Sequence, residues 1–302
     1  LKQSYEGTLE PVFASRTKNN KPFKPVQADK KIYSSSDREQ ITIPKVVIPV
    51  FPGTNCEYES IKAFKKEGAE VTSVLINNLN LTKLNNSIQA LEKELQSSQI
   101  LMLPGGFSAG DEPDGSAKFM VSILKDERIK KEVHNLLERG GLILGICNGF
   151  QALVKSGLLP YGRIQELEST SPTLTHNKIG RHISQMVTIK VVSDQSPWLK
   201  GMKGNTYTIP VSHGEGCFYA EENTIKELLE SDQVATQYVD FEGNPSVDMP
   251  FNPNGSTYAI EGIVGAGGQI YGRMGHPERY TDGLMKNVPG SGYHLSLKHI
   301  RS

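Results

Sequence analysis

From Lys45 onward the chain alternates short apolar runs with amphipathic stretches. Lys45 to Phe51 holds Val46-Val47-Ile48 and Val50, a β-branched run that reads as a first strand. Pro49 cannot donate to a ladder, which argues against a central place in a sheet. Pro52-Gly53-Thr54-Asn55 reads as a turn. Thr54 and Glu57 form a capping box for a helix running to about Gly68, with Tyr58, Ile61 and Phe64 on its core face. The pattern then predicts a strand over Val71 to Ile76, a helix over Thr82 to Leu95 and a strand over Ile100 to Leu103. Two helices follow, from about Ser116 to Leu124 and from Asp126 to Arg139. Leu142-Ile143-Leu144 begins another buried strand, and Phe150 to Ser156 a short helix that ends at Gly157. Strand and helix alternating through short turns imply a parallel sheet with helices on both faces.

The second half changes character. Ile183 to Val192 alternates, and Tyr207 to Val211, Gly216 to Tyr219, Val234 to Val239, Tyr258 to Val264 and Gln269 to Arg273 are further strands. Gly265-Ala266-Gly267-Gly268 reads as a hairpin turn. The predicted fold class is therefore α/β: a mostly parallel central sheet with helices on both faces, plus added antiparallel strands. Residues 1–43 are polar and without period, and read as an N-terminal arm or linker ahead of a domain over 44–302.

Composition narrows the function without naming it. Lys+Arg and Asp+Glu both number 33, so the net charge is zero and no nucleic-acid footprint is visible. There is no apolar run long enough to span a bilayer. Cys56, Cys147 and Cys217 have neither zinc nor disulfide-framework spacing, which points to a reducing cytoplasm.

Chemistry concentrates at Gly145-Ile146-Cys147-Asn148-Gly149, between an apolar strand and a helix. A sharp strand-to-helix turn pushes its central side chain out above the sheet in a strained conformation. Residues without a Cβ are needed two before and two after, where Gly145 and Gly149 stand. The helix N-terminus turns partial positive charge toward the sulfur, and backbone N–H groups freed at the turn can hold an oxyanion. A nucleophilic cysteine needs a base, and the base an orienter. His276 and Glu278 bracket Pro277 after a strand, so Glu278 can hold one ring nitrogen while the other faces Cys147. Taken alone, the same residues also read as a turn histidine beside a surface carboxylate. His134 reads as a surface residue in a charged helix, and His294 and His299 as part of a C-terminal helix. Cys56 reads as structural and Cys217 as core.

Pro104-Gly105-Gly106, the cysteine turn and His276-Pro277-Glu278 occur in that order at strand ends. This resembles the class I, or triad, glutamine amidotransferases, over residues 45–302, with their flavodoxin-like core. The segments Phe51 to Cys56, Gly105 to Asp111, Cys147 to Gln151, Val211 to Gly216, Asn252 to Ser256 and His276 to Arg279 are similar to the glutaminase part of the phosphoribosylformylglycinamidine synthases, which make an amidine in purine biosynthesis. That resemblance implies Cys147 as nucleophile toward glutamine, His276 as base and acid, Glu278 as orienter, and an oxyanion hole from Gly106 and Asn148. Gly105, Phe107, Gln151, Ser212, His213 and Gly214 would line the glutamine pocket. Ammonia would pass to a synthetase region upstream, where ATP and magnesium belong; no metal or cofactor is expected in this chain. Thr8 to Phe13 resembles the end of that region, so the chain reads as the C-terminal part of a long single-chain form. It departs from many relatives at Ala109, at Gly275 and over Glu112 to Gly115. The alternatives are a glutaminase serving another amidotransferase and a catalytically silent docking module.

Overall fold

Eleven strands make the frame of the computed structural model, which describes Thr8 and residues 43–108, 116–281, 283–285 and 287–288. The expected arm, apart from Thr8 and Ile43, lies outside the described residues. So do 109–115 and the segment holding His294 and His299. The strands are β1 (Lys45–Val50), β2 (Glu70–Leu75), β3 (Ile100–Leu103), β4 (Leu142–Ile146), β5 (Thr173–His176) and β6 (Ile183–Val191). They continue with β7 (Thr206–His213), β8 (Glu215–Tyr219), β9 (Val234–Tyr238), β10 (Ile260–Gly265) and β11 (Ile270–Arg273). Nine form one sheet in the order β2-β1-β3-β4-β11-β10-β9-β6-β7, and β5 pairs with β8 apart from it. From β2 to β11 every pairing is parallel; from β11 to β7 every pairing is antiparallel.

The parallel half shows why continuous apolar runs were its signal. Every residue of β3, β4 and β11 is buried, so both sheet faces are covered. The helices of seven residues or more are α1 (Glu57–Lys66), α2 (Leu81–Ser97), α3 (Lys118–Leu124), α4 (Glu127–Glu138), α5 (Asn148–Lys155) and α6 (Glu222–Glu230). Helix α5 packs on β3, β4 and β11, while α2 packs on β1, β2 and α4. Phe64 of α1 is fully buried, a contribution of about 1.5–3 kcal/mol.

Three local expectations fail. Strand β1 lies between β2 and β3 despite Pro49, because its pairing with β3 ends at Val47↔Leu101, before the proline. The capping box does not form. Cys56 is the N-cap residue and makes no side-chain cap bond, while the Thr54 hydroxyl accepts from the Phe51 N–H at 3.1 Å. Tyr58 is 76% exposed rather than core, since it sits in the first turn where the helix leaves the sheet. Strand β5 and helix α6 were not foreseen. No helix among the described residues is long and apolar enough to cross a membrane.

Candidate active site

Five strand ends converge at one edge: those of β1, β3, β4, β7 and β11. Cys147 follows β4 and precedes α5, with φ 52° and ψ −106°, a region that non-glycine residues rarely adopt. The two flanking glycines are required by contact. A Cβ on Gly145 would stand 2.7 Å from the Gly149 carbonyl oxygen, and one on Gly149 would collide with the Leu103 carbonyl of β3. The Cys147 N–H is taken by the Arg273 carbonyl of β11 at 2.8 Å, which ties the elbow to the strand that carries the histidine.

Beyond β11 the chain turns at Gly275 into the short 3-10 turn Pro277–Arg279. His276 is fully buried, its N–H donates to the Pro210 carbonyl of β7 at 2.9 Å, and its Nδ1 lies 2.6 Å from Glu278 Oε1. Its Nε2 is buried without a hydrogen-bond partner. Burial opposes the imidazolium, yet the Glu278 carboxylate and then the Cys147 sulfur outweigh it and hold the His276 pKa well above the usual value. Strand β7, at the far edge of the sheet, returns over the site: the Ser212 carbonyl lies 3.8 Å from Cys147 Sγ. The sheet must curl for that contact to form.

The β3 end is held against the β1 turn. The Phe107 N–H donates to the Gly53 carbonyl at 2.9 Å, and the Asn55 N–H to the Gly105 carbonyl at 3.4 Å. In this bridge between Thr54 and Gly106 the Gly106 N–H faces away from Thr54. Gly106 has φ 141°, and a Cβ there would stand 2.7 Å from both the Gly53 oxygen and the Thr54 Cα. Phe107 is 46% exposed at the rim. The Ser108 N–H donates to Asn148 Oδ1 at 3.3 Å, linking this loop to the elbow.

Gln151 and His213 are both buried and bonded within the protein. Gln151 Oε1 accepts from Asn148 Nδ2 at 3.0 Å, and its Nε2 donates to the Glu215 carbonyl. The Glu215 carboxylate takes the Ser116 N–H at 3.0 Å and the Ser116 hydroxyl at 2.5 Å. Asn177 Oδ1 accepts from the Gly216 N–H at 3.2 Å, so it must also accept from His213 Nδ1 at 3.1 Å. That fixes the tautomer and leaves His213 Nε2 a bare acceptor, buried without a partner. Burial, then the charge of His276, lowers the His213 pKa to about 3, so the ring is neutral at working pH. Gly214 has open space around its Cα.

Several supporting residues were not singled out from sequence. The Glu261–Arg273 pair lies fully buried between β10 and β11 at 3.2 Å, and Glu261 Oε1 also accepts the Gly275 N–H at 2.8 Å. A carboxylate inside the apolar run Ile260 to Val264 was the available signal. Asn177, which orients His213, had none. The Asn252 to Ser256 segment is a buttress: Asn254 Nδ2 donates to the Gly216 carbonyl at 2.7 Å, and the Ser256 hydroxyl accepts the Phe218 N–H at 3.0 Å. His134 is half-buried rather than a free surface residue, because its Nε2 accepts the Ile164 N–H at 3.0 Å. Cys217 is core as expected, and burial pushes its thiol up to about 11. Cys56 is not merely structural packing, for its sulfur lies 3.9 Å from His276 Nδ1 and 3.1 Å from Arg279 Nη2. Cys56, His276 and Glu278 bring metal-type donors within 4.8 Å of one another. The Arg279 guanidinium on that sulfur already supplies a cation there.

An α/β sheet with a cysteine elbow and a buried histidine–carboxylate pair at its strand ends defines a class. The CobB/CobQ-like glutamine amidotransferase domain family matches residues 43–298, and this chain belongs to it. Among curated relatives, the phosphoribosylformylglycinamidine synthase subunit PurQ of Methanococcus maripaludis is 40% identical over 244 residues, 78% of this chain and 82% of the relative. The PurQ subunit of Gloeobacter violaceus is 34% identical over 254 residues, 84% of this chain and 96% of the relative. Among solved structures, a chain of PurLQS from Thermotoga maritima aligns with a TM-score of 0.61 and 27% identity, covering 86% of this chain and 98% of that one.

Proposed function

We propose that this chain is the glutaminase component of a phosphoribosylformylglycinamidine synthase, releasing ammonia from glutamine for a synthetase partner. The observation that carries the reading is the strained Cys147 beside a buried His276–Glu278 pair. Cys147 attacks the side-chain amide of glutamine, and its thiol proton passes to His276 Nε2. The tetrahedral oxyanion is met by the N–H groups of Gly106 and Asn148. As it collapses, the C–N bond breaks and His276 returns the proton to the departing ammonia, leaving a thioester on Cys147. Water then attacks that thioester and glutamate leaves. Glu278 keeps Nδ1 protonated throughout and stabilises the imidazolium. Gly105, Phe107, Ser212, His213 and Gly214 line the glutamine pocket; Gln151 braces it through Asn148 and Glu215.

The synthetase and its ATP and magnesium chemistry belong to the partner. We further assign residues 1–43 to the tail of a synthetase region within one longer polypeptide. The two PurQ relatives are named as subunits, so the coding sequence upstream of Leu1 decides that assignment. The functional test is glutamine turnover by the chain alone and with the synthetase, its ribonucleotide and ATP. Cys147→Ala is expected to abolish glutamate release in both, with the fold intact by circular dichroism. Substantial turnover in that variant removes the reading. Wild-type turnover is expected to rise about 100- to 1,000-fold with the loaded partner, the usual worth of one oxyanion donor set in place.

A further inference from the structure

Cys56 is 1% exposed at the head of α1, yet its sulfur meets three polar groups. Its S–H donates to Asn55 Oδ1 at 3.1 Å, its lone pairs receive Arg279 Nη2 at 3.1 Å, and His276 Nδ1 lies 3.9 Å away. Its carbonyl is held by the Ser60 hydroxyl at 2.7 Å and the Ser60 N–H at 3.1 Å, so the backbone that carries the thiol is fixed. A Cβ on Gly105 would stand 3.1 Å from the sulfur and 2.8 Å from His276 Cε1.

The arrangement is unusual because of what Arg279 does not do. It directly follows Glu278 in the same turn, and guanidinium and carboxylate are natural bidentate partners. Among the described residues no ion pair joins them, and Glu278 Oε2 is buried with no hydrogen-bond partner. A thiol is the weaker acceptor of the two. We propose that Cys56 is a positioning residue: it holds the Arg279 guanidinium out of hydrogen-bond contact with Glu278, and so leaves His276 as the partner that the carboxylate bonds. The titratable and charged groups around His276 and Glu278 are then Arg279 from their own turn, Cys56 from the head of α1, Cys147 from the elbow, His213 from β7 and the buried Arg273 guanidinium of β11, on which Glu278 also acts. Only Glu278 combines a full opposite charge with a hydrogen bond at 2.6 Å, so whatever neutralises it lowers the affinity of His276 for its proton.

The test is an NMR titration of the full chain labelled with 13C-histidine, the His276 signal being assigned by its loss in His276→Gln. Cys56→Ala removes the acceptor and lets Arg279 turn to Glu278, so the His276 midpoint is expected to fall by about one unit, the lower end of the effect of an adjacent charge. Cys56→Ser keeps an acceptor and stays near wild type. In Cys56→Ala/Arg279→Met the competing cation is gone and the midpoint returns to the wild-type value. An unchanged midpoint in Cys56→Ala, or a fall that persists in the double variant, overturns the proposal. Arg279→Met alone reads the same point should Cys56→Ala fail to fold: a rise of about one unit or more would mean the arginine already neutralises Glu278, against the proposal. The inference rests on the triad reading of the site, but the midpoint is measured without turnover. Absence of glutaminase activity in the wild type sinks the proposed function and leaves the titration to judge Cys56 by itself.

Discussion

Replacing Cys147 by glycine is expected to make the chain more stable than replacing it by alanine, although both variants lack the thiol. The backbone at Cys147 has φ 52° and ψ −106°. That ψ is far from the left-handed helical value near +47°, so the cost to any residue with a Cβ lies at the upper end of the usual range, about 3 kcal/mol. Alanine keeps the Cβ and the whole of this cost. Glycine removes it but loses about 0.5–1 kcal/mol to the greater freedom of the unfolded chain and about 0.8 kcal/mol from the buried methyl. The balance favours glycine by about 1–2 kcal/mol, from those same terms. For a chain of this size each kcal/mol moves Tm by about 2–4 °C, so glycine should melt a few degrees above alanine in matched calorimetric scans. A Cys147→Gly variant melting at or below Cys147→Ala would show that the elbow holds no strain for glycine to relieve.

Two further outcomes follow from the histidines. His276→Ala should cost about 100- to 10,000-fold in kcat/KM for glutamine hydrolysis, the usual worth of a general acid–base, while Glu278→Gln, which leaves the ring in place, should cost less; the reverse order would move the base elsewhere, with His213 the next candidate. In stability against pH, His276 binds its proton more tightly folded than unfolded, so its contribution is complete below about 6.5 and is lost as pH rises through its raised folded value. His213 is the opposite case. With a folded value of about 3, it costs stability as pH falls below about 6.5, because the unfolded chain takes up the proton first. His213→Gln should therefore lose less Tm than wild type between neutral pH and pH 4 by calorimetry, and an equal loss would contradict the neutral buried ring.

The sequence was legible where one interaction dominates. Buried parallel strands are apolar on both faces, so β3 and β4 stood out, and the paired glycines at 145 and 149 marked the elbow because a Cβ at 145 would strike Gly149 and one at 149 would strike Leu103. Strand β5 was hidden because its segment, Thr173 to His176, is largely polar and pairs outside the main sheet. Tyr58 was misplaced because helical spacing alone does not say where along a helix the core ends. In the site, His276 and Glu278 were visible as neighbours. The partners that hold them were not, for Cys56 and Arg279 are 223 residues apart and Gly275 and Glu261 meet only once β10 pairs with β11.

That separation has a consequence for how the protein is made. The turn after the first strand and the turn after the last described strand close on the same imidazole. A ribosome that has finished the elbow still has more than a hundred residues to add before His276 is made, and every nascent chain until then carries Cys147 without the histidine that faces it. Closure of the site waits on contacts of the longest sequence separation, the ones whose loop entropy is met last. On the proposed reading, chemical competence thus requires that the nine strands of the main sheet have been synthesised and laid in order, and a prematurely terminated product carries an inert thiol.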